Sequence, residues 1–222
     1  KALAEQLATL SDTLQPLIAE KDYHQILQHL AQLQEPVDAF FDQVMVMADD
    51  MALRQNRLAI LSQLRELFLE VAIARLCNEG YSVVVATNQS GLARGLFDLD
   101  DLEAIHDKMR RQVEAAGGHI AGIYYCPHLP SAGCSCRKPA PGLLDAIAQD
   151  FGTSLVGVAF IGDSLKDLQA GVKRQCQPIL LRTGKGSHYE GLLPTEANEQ
   201  VRNALVHNDL ASAVDHFLEK RN

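Results

Sequence analysis

The sequence has no tryptophan, few aromatic side chains and no long apolar run. Only 5% of its 222 residues are aromatic, and no apolar stretch approaches the ~20 residues that a membrane-spanning helix needs. The N-terminus lacks the basic-then-apolar pattern of a signal peptide. These absences exclude a membrane partner, predict a soluble globular protein and favour a cytoplasmic location.

Positive charge is also scarce. The formal net charge is −8 at pH 7, which argues against a broad surface for nucleic acid or anionic lipid, although a local basic patch stays compatible with it. The chain is long enough for one large domain or two small ones.

The five cysteines fall into two groups. Cys77 and Cys176 stand alone, which is typical of small core residues. Three others share a short segment with a histidine: Cys126, His128, Cys134 and Cys136. In a reducing compartment this cluster favours a metal over a disulfide, and four such ligands suffice for a closed tetrahedral Zn²⁺ site. The alternative is three buried thiols beside an unrelated histidine.

The first third of the chain has helical periodicity. Leu3, Leu7, Leu10 and Leu14 follow a 4-3-4 spacing, which predicts one apolar face of a helix. Further helices are predicted over residues 23–33, 37–48 and 51–79, although "VMVM" by itself also suits a strand. The last of these would have about 29 residues, longer than the ~25 usual without caps, so we interpret it as two helices joined end to end.

After Gly80 the pattern changes to that of an α/β protein. Strands are predicted at residues 82–87, 121–125, 157–162 and 178–182. They alternate with helices near residues 99–116, 141–150, 165–174 and 209–220. This order predicts a parallel sheet with helices on both faces.

Polar residues that suit phosphoryl transfer follow the predicted strands. Thr87 and Asn88 close the first strand, Arg137 and Lys138 precede a helix, and Asp163 follows the third strand. A phosphoryl group in transfer needs hydrogen-bond donors, a fixed cation and Mg²⁺. Thr87 can donate, Lys138 can supply the cation, and the Asp163 carboxylate suits Mg²⁺. Each feature alone is also typical of a turn, a solvated lysine or a helix cap.

Three segments together resemble motifs of the haloacid dehalogenase (HAD) superfamily of phosphatases: "VVVATNQSG", "CRKPAPG" and "IGDSLKDLQAG". The resemblance covers roughly residues 73–222 and is closest to the heptose 1,7-bisphosphate phosphatases, which remove the 7-phosphate of a sugar bisphosphate. It implies that Thr87, Asn88 and Arg137 contact the substrate, that Lys138 stabilises charge, and that Asp163 binds Mg²⁺.

The same resemblance implies that the Cys/His cluster is a structural zinc loop. Such a loop would orient Arg137 and Lys138, which follow it directly, and it would not be catalytic. The segment "LRTGKG" after the last predicted strand does not match a phosphate-binding P-loop. We interpret it as a loop near the site, with Arg182 and Lys185 as candidate anion contacts.

Members of this superfamily carry an Asp-x-Asp at the end of their first strand, in which one aspartate is the nucleophile and the other the general acid/base. Upstream of Gly80 the sequence has no such motif. Its nearest substitute is Asp49-Asp50, whose adjacent side chains would point to opposite sides of an extended chain. We therefore predict a truncated HAD-like fold that lacks its first strand, with activity lost or severely impaired.

Residues 1–72 resemble another protein family. The segment 35–72, which includes "DMALR", is similar to the C-terminal tail of bacterial glycine–tRNA ligase β subunits, of the DALR anticodon-binding type. The resemblance implies contact with tRNA or with a synthetase subunit. However, no basic groove is evident, and Arg54, Arg57 and Arg65 are typical of solvated helix charges.

The chain is therefore interpreted as a fusion with its join near Val71-Ala72-Ile73. Three hypotheses follow: a Mg²⁺-dependent sugar-bisphosphate phosphatase domain that has lost its nucleophile, a tRNA-binding remnant of the synthetase, or a fusion product without function. A deletion between genes, an assembly error and a gene-prediction artefact would all produce it. The predicted domains are residues 1–72 and 73–222.

Overall fold

The computed structural model describes residues 2–33, 37 and 69–219. The chain divides into two compact units, the first made of residues 1–81 and 111–119 and the second of residues 82–110 and 120–222. The predicted helices over residues 38–68, together with Asp49-Asp50 and the arginines at 54, 57 and 65, lie outside the described residues. No described helix is long and apolar enough to cross a bilayer.

The first unit is helical, as its periodicity predicts. Helix α1 spans Ala2–Glu20 and helix α2 spans Tyr23–Ala31, while residues 69–78 are also helical. The Asp22 carboxylate caps α2 by accepting the Gln25 N–H at 3.1 Å. The predicted apolar face of Leu3, Leu7, Leu10 and Leu14 is confirmed, because these residues are buried in one cluster with Ile26, Leu30, Leu33 and Val71.

The C-terminal part of helix α3, which spans Leu99–Ala115, belongs to this unit with the turn that follows it. Gly118 lies so close to the helix over residues 69–78 that a Cβ there would come within 2.9 Å of the Ala74 Cα. The Cys77 thiol donates to the His119 carbonyl at 3.2 Å. Cys77 therefore fastens the turn, although it is half-exposed and not the core residue that the sequence predicted.

The second unit is α/β. Its strands are β1 (Val83–Asn88), β2 (Ile120–Cys126), β3 (Ala159–Gly162), β4 (Gln177–Leu181) and β5 (Leu205–His207). After the first part of α3, its helices are α4 (Gly142–Asp150), α5 (Leu165–Val172), α6 (Gly186–Glu190), α7 (Glu199–Arg202) and α8 (Leu210–Glu219). The four predicted strands are confirmed, whereas β5, α6 and α7 are too short to have been predicted from periodicity.

The described strands form two separate parallel sheets. In one, β1 pairs with β2, from Val83 opposite Ile120 to Asn88 opposite Cys126. In the other, β4 lies between β3 and β5. The sequence predicted one sheet that lacks its first strand. The structure confirms the parallel α/β class but divides the sheet, because no described strand bonds to the second edge of β1 or of β3.

Two apolar clusters hold this unit together. One contains Leu144, Ile147, Leu155, Ala170 and Cys176, with Val84, Ala86, Tyr124 and Phe160 packed against them. It joins the two sheets, since Val84 and Ala86 belong to β1 and Phe160 to β3. The other cluster surrounds β4 and contains Leu168, Leu180, Leu193 and Val201. The cysteine predicted to be a core residue at position 176 is indeed 3% exposed.

Candidate active site

The carboxyl end of β1 carries the predicted phosphate contacts Thr87 and Asn88. Both residues are half-buried. The Asn88 side chain holds the backbone of Lys138 at two points, because its Nδ2 donates to the Lys138 carbonyl at 3.1 Å and its Oδ1 accepts the Lys138 N–H at 3.1 Å. A residue distant in sequence is thereby fixed at the end of the strand.

Lys138 is brought into the centre of the second unit. Its Nζ donates to the Ala86 carbonyl at 2.6 Å and lies 2.6 Å from the Asp167 Oδ1. The two side chains are 13% and 9% exposed, so the ion pair is largely removed from water. The Phe160 ring lies beneath the ammonium group, 5.9 Å from Nζ to the ring centroid. The predicted cation is therefore at the carboxyl ends of β1 and β3.

Asp167 is a site residue to which the sequence assigned no role. Its Oδ2 accepts the Ser164 hydroxyl at 2.7 Å and the Ser164 N–H at 3.2 Å, which forms a capping box at the start of α5. Gly162 allows this approach, because a Cβ there would come within 2.4 Å of the Asp167 Cβ. The Ser-x-x-Asp spacing predicts the cap, but only the tertiary structure shows that Lys138 is its partner.

Asp163, the predicted Mg²⁺ ligand, follows β3 directly. Its Oδ2 accepts the Lys185 N–H at 3.3 Å. Gly184 has a φ of +59°, and a Cβ at that position would come within 2.0 Å of the same oxygen. The segment 181–186 therefore lies against the site as expected, and it does so through its backbone.

Arg182 does not fit its predicted role as an anion contact. Its Nε and Nη2 donate to the Glu190 carboxylate at 2.7 Å each, and its Nη1 donates to the Asn208 Oδ1 at 2.7 Å. The guanidinium is thus held by its own neighbours, and Glu190 lowers the local positive charge.

The four predicted zinc ligands lie together between β2 and α4. The thiol sulfurs of Cys126, Cys134 and Cys136 and a ring nitrogen of His128 all lie within 4.8 Å of one another. The Cys126 and Cys134 sulfurs are 3.6 Å apart, and His128 Nδ1 is 3.3 Å from the Cys136 sulfur. Among the described residues this is the one group of three or more such side chains able to hold an ion.

The thiols of this cluster influence one another. Burial raises the pKa of Cys134, but hydrogen bonds from Cys136, from the Arg137 backbone and from Cys126 outweigh it and lower that pKa to about 7. Burial, followed by the hydrogen bonds and charges of its neighbouring thiols, raises the pKa of Cys136 to about 12. One thiolate therefore forms readily near neutral pH in this cluster.

Arg137 links the cluster to the remaining site residues. Its Nη1 donates to the His128 carbonyl at 3.0 Å, and the next residue is Lys138. The N–H of Gly142 donates to the Ser135 carbonyl at 2.9 Å, which closes the loop onto the start of α4. The structure thus ties Asn88 to Lys138 and Arg137 to the cluster, while Thr87 lies at the end of β1 and Asp163 directly after β3.

The two parts of the sequence match two families. Residues 1–72 match the DALR anticodon binding domain, and residues 135–213 match the HAD-hydrolase-like family. The N-terminal part is 57% identical over 72 residues to the glycine–tRNA ligase beta subunit of Aliivibrio fischeri, which covers 32% of this chain and 10% of that protein.

The larger part resembles phosphatases. The chain is 46% identical over 148 residues to the D-glycero-beta-D-manno-heptose-1,7-bisphosphate 7-phosphatase of Pseudomonas aeruginosa, which covers 67% of this chain and 80% of the relative. A crystal structure of the D,D-heptose 1,7-bisphosphate phosphatase from B. bronchiseptica, complexed with magnesium and phosphate, is 45% identical with a TM-score of 0.63 and covers 68% of this chain and 82% of that one. The chain therefore belongs to the heptose-bisphosphate phosphatase family of HAD-like hydrolases, and its N-terminal segment is shared with glycine–tRNA ligase beta subunits.

Proposed function

We propose that residues 73–222 are a Mg²⁺-dependent phosphatase domain for the 7-phosphate of D-glycero-D-manno-heptose 1,7-bisphosphate, and that this chain has lost the activity. The observation that carries the proposal is the 46% identity across 80% of a phosphatase of that name. It is supported by the convergence of Asn88, Lys138 and Asp163 beside the carboxyl ends of β1 and β3. Sugar phosphates would be the substrate class.

We propose a role for each site residue. Asn88 holds the Lys138 backbone in place, and Lys138 supplies a fixed cation for a phosphoryl oxygen. Thr87 and Arg137 would donate to the substrate. Without substrate, the Lys138 ammonium is neutralised by Asp167, so a bound phosphate would have to share that cation.

Asp163 fits Mg²⁺ as a single carboxylate ligand. Mg²⁺ is usually held by one or two carboxylates together with substrate phosphates and water, so a single aspartate is compatible with weak binding. When bound, the ion would neutralise charge on the phosphoryl group. Among the described residues no third carboxylate, cysteine or histidine joins Asp163 and Asp167 in a metal-sized group.

The loss of activity is proposed from chemistry. Phosphoryl transfer in this superfamily needs an aspartate nucleophile and a second aspartate as general acid/base at the end of its first strand. No Asp-x-Asp precedes β1 in the sequence, and Asp98-Leu99-Asp100 lies at the start of α3. Lys138 and Asp163 can bind and polarise a phosphate, but neither accepts the phosphoryl group. Loss of a covalent nucleophile typically costs several orders of magnitude in kcat.

We further propose that the cluster of Cys126, His128, Cys134 and Cys136 binds a structural Zn²⁺. In a tetrahedral site with Zn–S bonds of ~2.3 Å, sulfurs lie ~3.8 Å apart, close to the 3.5 and 3.6 Å separations found here. All four positions are protein ligands, so the ion would stabilise the loop and not take part in catalysis. A cytoplasmic location, where thiols stay reduced, suits this set.

The alternative function is tRNA or synthetase-subunit contact through residues 1–72. The observation in its favour is the match to the DALR anticodon binding domain over those residues, and this match also supports a domain boundary at 72/73. Charge argues against it. Within residues 2–33 a single Lys21 stands against four carboxylates, those of Glu5, Asp12, Glu20 and Asp22, whereas tRNA binding depends on cations. A fusion product without function is the third possibility.

The test is phosphate release from heptose 1,7-bisphosphate by zinc-loaded protein with Mg²⁺. The Pseudomonas aeruginosa relative is the positive control and Asp163→Ala the matched negative. We expect no release above the Asp163→Ala background. Release that Asp163→Ala abolishes would show that another carboxylate, first Asp49 or Asp50, acts as the nucleophile. Salt-dependent tRNA binding by the parent chain would instead favour the alternative.

A further inference from the structure

The C-terminal end of helix α5 contacts the segment that carries Lys138. Lys173 directly follows the last residue of α5, and its side chain is exposed. Its Nζ donates to the Pro139 carbonyl at 2.8 Å, although the two residues are 34 positions apart in the sequence. This bond therefore joins α5 to the backbone immediately after Lys138.

The residues after Lys138 have few backbone donors. Pro139 and Pro141 have no N–H, so each can enter a main-chain hydrogen bond only through its carbonyl. The N–H of Ala140, between them, donates to the Arg137 carbonyl at 2.8 Å and so stays within the same segment. Lys173 therefore provides this short segment with a bond to a separate element of the fold.

Arg174 provides a second link from the same end of α5. Its Nη2 donates to the Asp145 Oδ2 at 2.8 Å, and its Nε donates to the other carboxylate oxygen, which makes a two-point ion pair. Asp145 lies in the first turn of α4, the helix that follows the segment. The Arg174 Nη1 also donates to the Lys173 carbonyl at 2.9 Å. Arg174 thus ties Lys173 to the start of α4.

The opposite end of α5 contacts Lys138 as well. Asp167, in the first turn of α5, lies 2.6 Å from the Lys138 Nζ. Asn88 of β1 holds the N–H and the carbonyl of Lys138. One helix therefore meets the Lys138 ammonium at its start and, through Lys173, the carbonyl of the next residue at its end.

A lysine at this position has a simpler explanation, because a positive charge near a helix C-terminus interacts favourably with the helix dipole. The dipole requires the charge but not a bond to a carbonyl in a distant segment. The two explanations differ in what they predict for Lys138. If Lys173 served the dipole alone, its loss would weaken α5 and leave the Lys138 backbone as it is.

We propose that Lys173 is a positioning residue for Lys138. By holding the Pro139 carbonyl, it fixes the backbone on the side of Lys138 that Asn88 does not reach, and thereby the place of the ammonium group. The consequence for phosphate rests on the proposed function, in which that ammonium meets a phosphoryl oxygen. Lys173 itself would not contact the phosphate.

The first test needs no ligand. The Lys138 N–H donates to the Asn88 Oδ1, and its hydrogen exchange measured by NMR on the intact chain reports local opening of that contact. Lys173→Met removes the ammonium, Lys173→Arg keeps a charged donor, and Lys166→Met removes an equal charge from another exposed position of α5. We expect the Lys138 amide to exchange about fivefold faster in Lys173→Met and at the parent rate in the other two variants. The amide of Ile179, buried in β4, should exchange at the parent rate in all three, because the change is local.

The second test measures the affinity for inorganic phosphate by calorimetry in the presence of Mg²⁺. We expect Lys173→Met to bind phosphate about fivefold more weakly than the parent chain, and Lys173→Arg and Lys166→Met to bind as the parent does. If the parent itself binds no phosphate, the proposed function fails, and the exchange of the Lys138 amide still decides the role of Lys173.

Three results would each overturn the proposal. They are an unchanged Lys138 exchange rate in Lys173→Met, equal effects of Lys166→Met and Lys173→Met, and parent-like phosphate affinity of Lys173→Met where the parent binds phosphate.

Discussion

The ion pair between Lys138 and Asp167 provides the sharpest test of how the second unit is held together. The Lys138 Nζ and the Asp167 Oδ1 are 2.6 Å apart, and both side chains are almost fully removed from water. Asp167→Asn would leave the Lys138 ammonium group with the Ala86 carbonyl, 2.6 Å away, and with the Phe160 ring. The substitution keeps the shape of the side chain but removes its charge.

The expected cost follows from burial. Removing one partner of a buried ion pair destabilises a protein by roughly 3–5 kcal/mol, because the other charge stays buried without compensation. Lys138 keeps a carbonyl acceptor, and its side chain is 13% exposed. We therefore expect the free energy of unfolding to fall by about 3 kcal/mol, at the lower end of that range. For a unit of this size the Tm would fall by roughly 6–12 °C.

The assay is urea unfolding followed through the amide signal of Ile179, which is buried in β4 and reports on the second unit alone. Asp163→Asn is the matched control, because its carboxylate accepts a single 3.3 Å hydrogen bond and its loss should cost less than about 1 kcal/mol. The double variant Lys138→Met/Asp167→Leu should recover part of the loss, since an apolar pair replaces the charges. Equal midpoints for Asp167→Asn and Asp163→Asn would refute the reasoning.

Three other predictions concern the metal cluster, pH and the Asn88 clamp. Cys126→Ser should abolish the equimolar zinc content measured by mass spectrometry, whereas Cys176→Ser should retain it; equal zinc in both would contradict the cluster assignment. Burial, followed by the charges of His216 and Arg182, lowers the pKa of His207. Stability should therefore fall as pH drops below the unfolded value of about 6.5, and His207→Gln should flatten that part of the unfolding profile; an unchanged slope would count against it. Asn88→Ala should destabilise the second unit by roughly 1–3 kcal/mol, because two backbone groups lose their partners, and urea midpoints equal to the parent would disprove this.

Local patterns predicted much of the fold. The 4-3-4 spacing of leucines predicted the buried face of α1, because side chains three and four residues apart share one side of a helix. Apolar runs between glycines and polar residues predicted β1 to β4 in the same way. β5 has three residues and α7 has four, and segments of that length carry too little periodicity to be recognised.

Part of the candidate site could also be predicted, since Cys126, His128, Cys134 and Cys136 are close in sequence and therefore close in space. The partners of Asn88, Lys138 and Asp167 could not be. Fifty residues separate Asn88 from Lys138, and only the packing of β1 against the following elements brings the amide to that backbone. The pairing of Arg182 with Glu190 was likewise not predicted from the sequence.

The sequence by itself determined the class of the protein: two segments of different periodicity and a parallel α/β fold. These follow from residue spacing and from side-chain chemistry, which are local properties. Only the tertiary structure decided how the described strands of the second unit pair. Strand pairing and burial depend on contacts between residues distant in sequence, and they divide the sheet into two and place Lys138 between its edges.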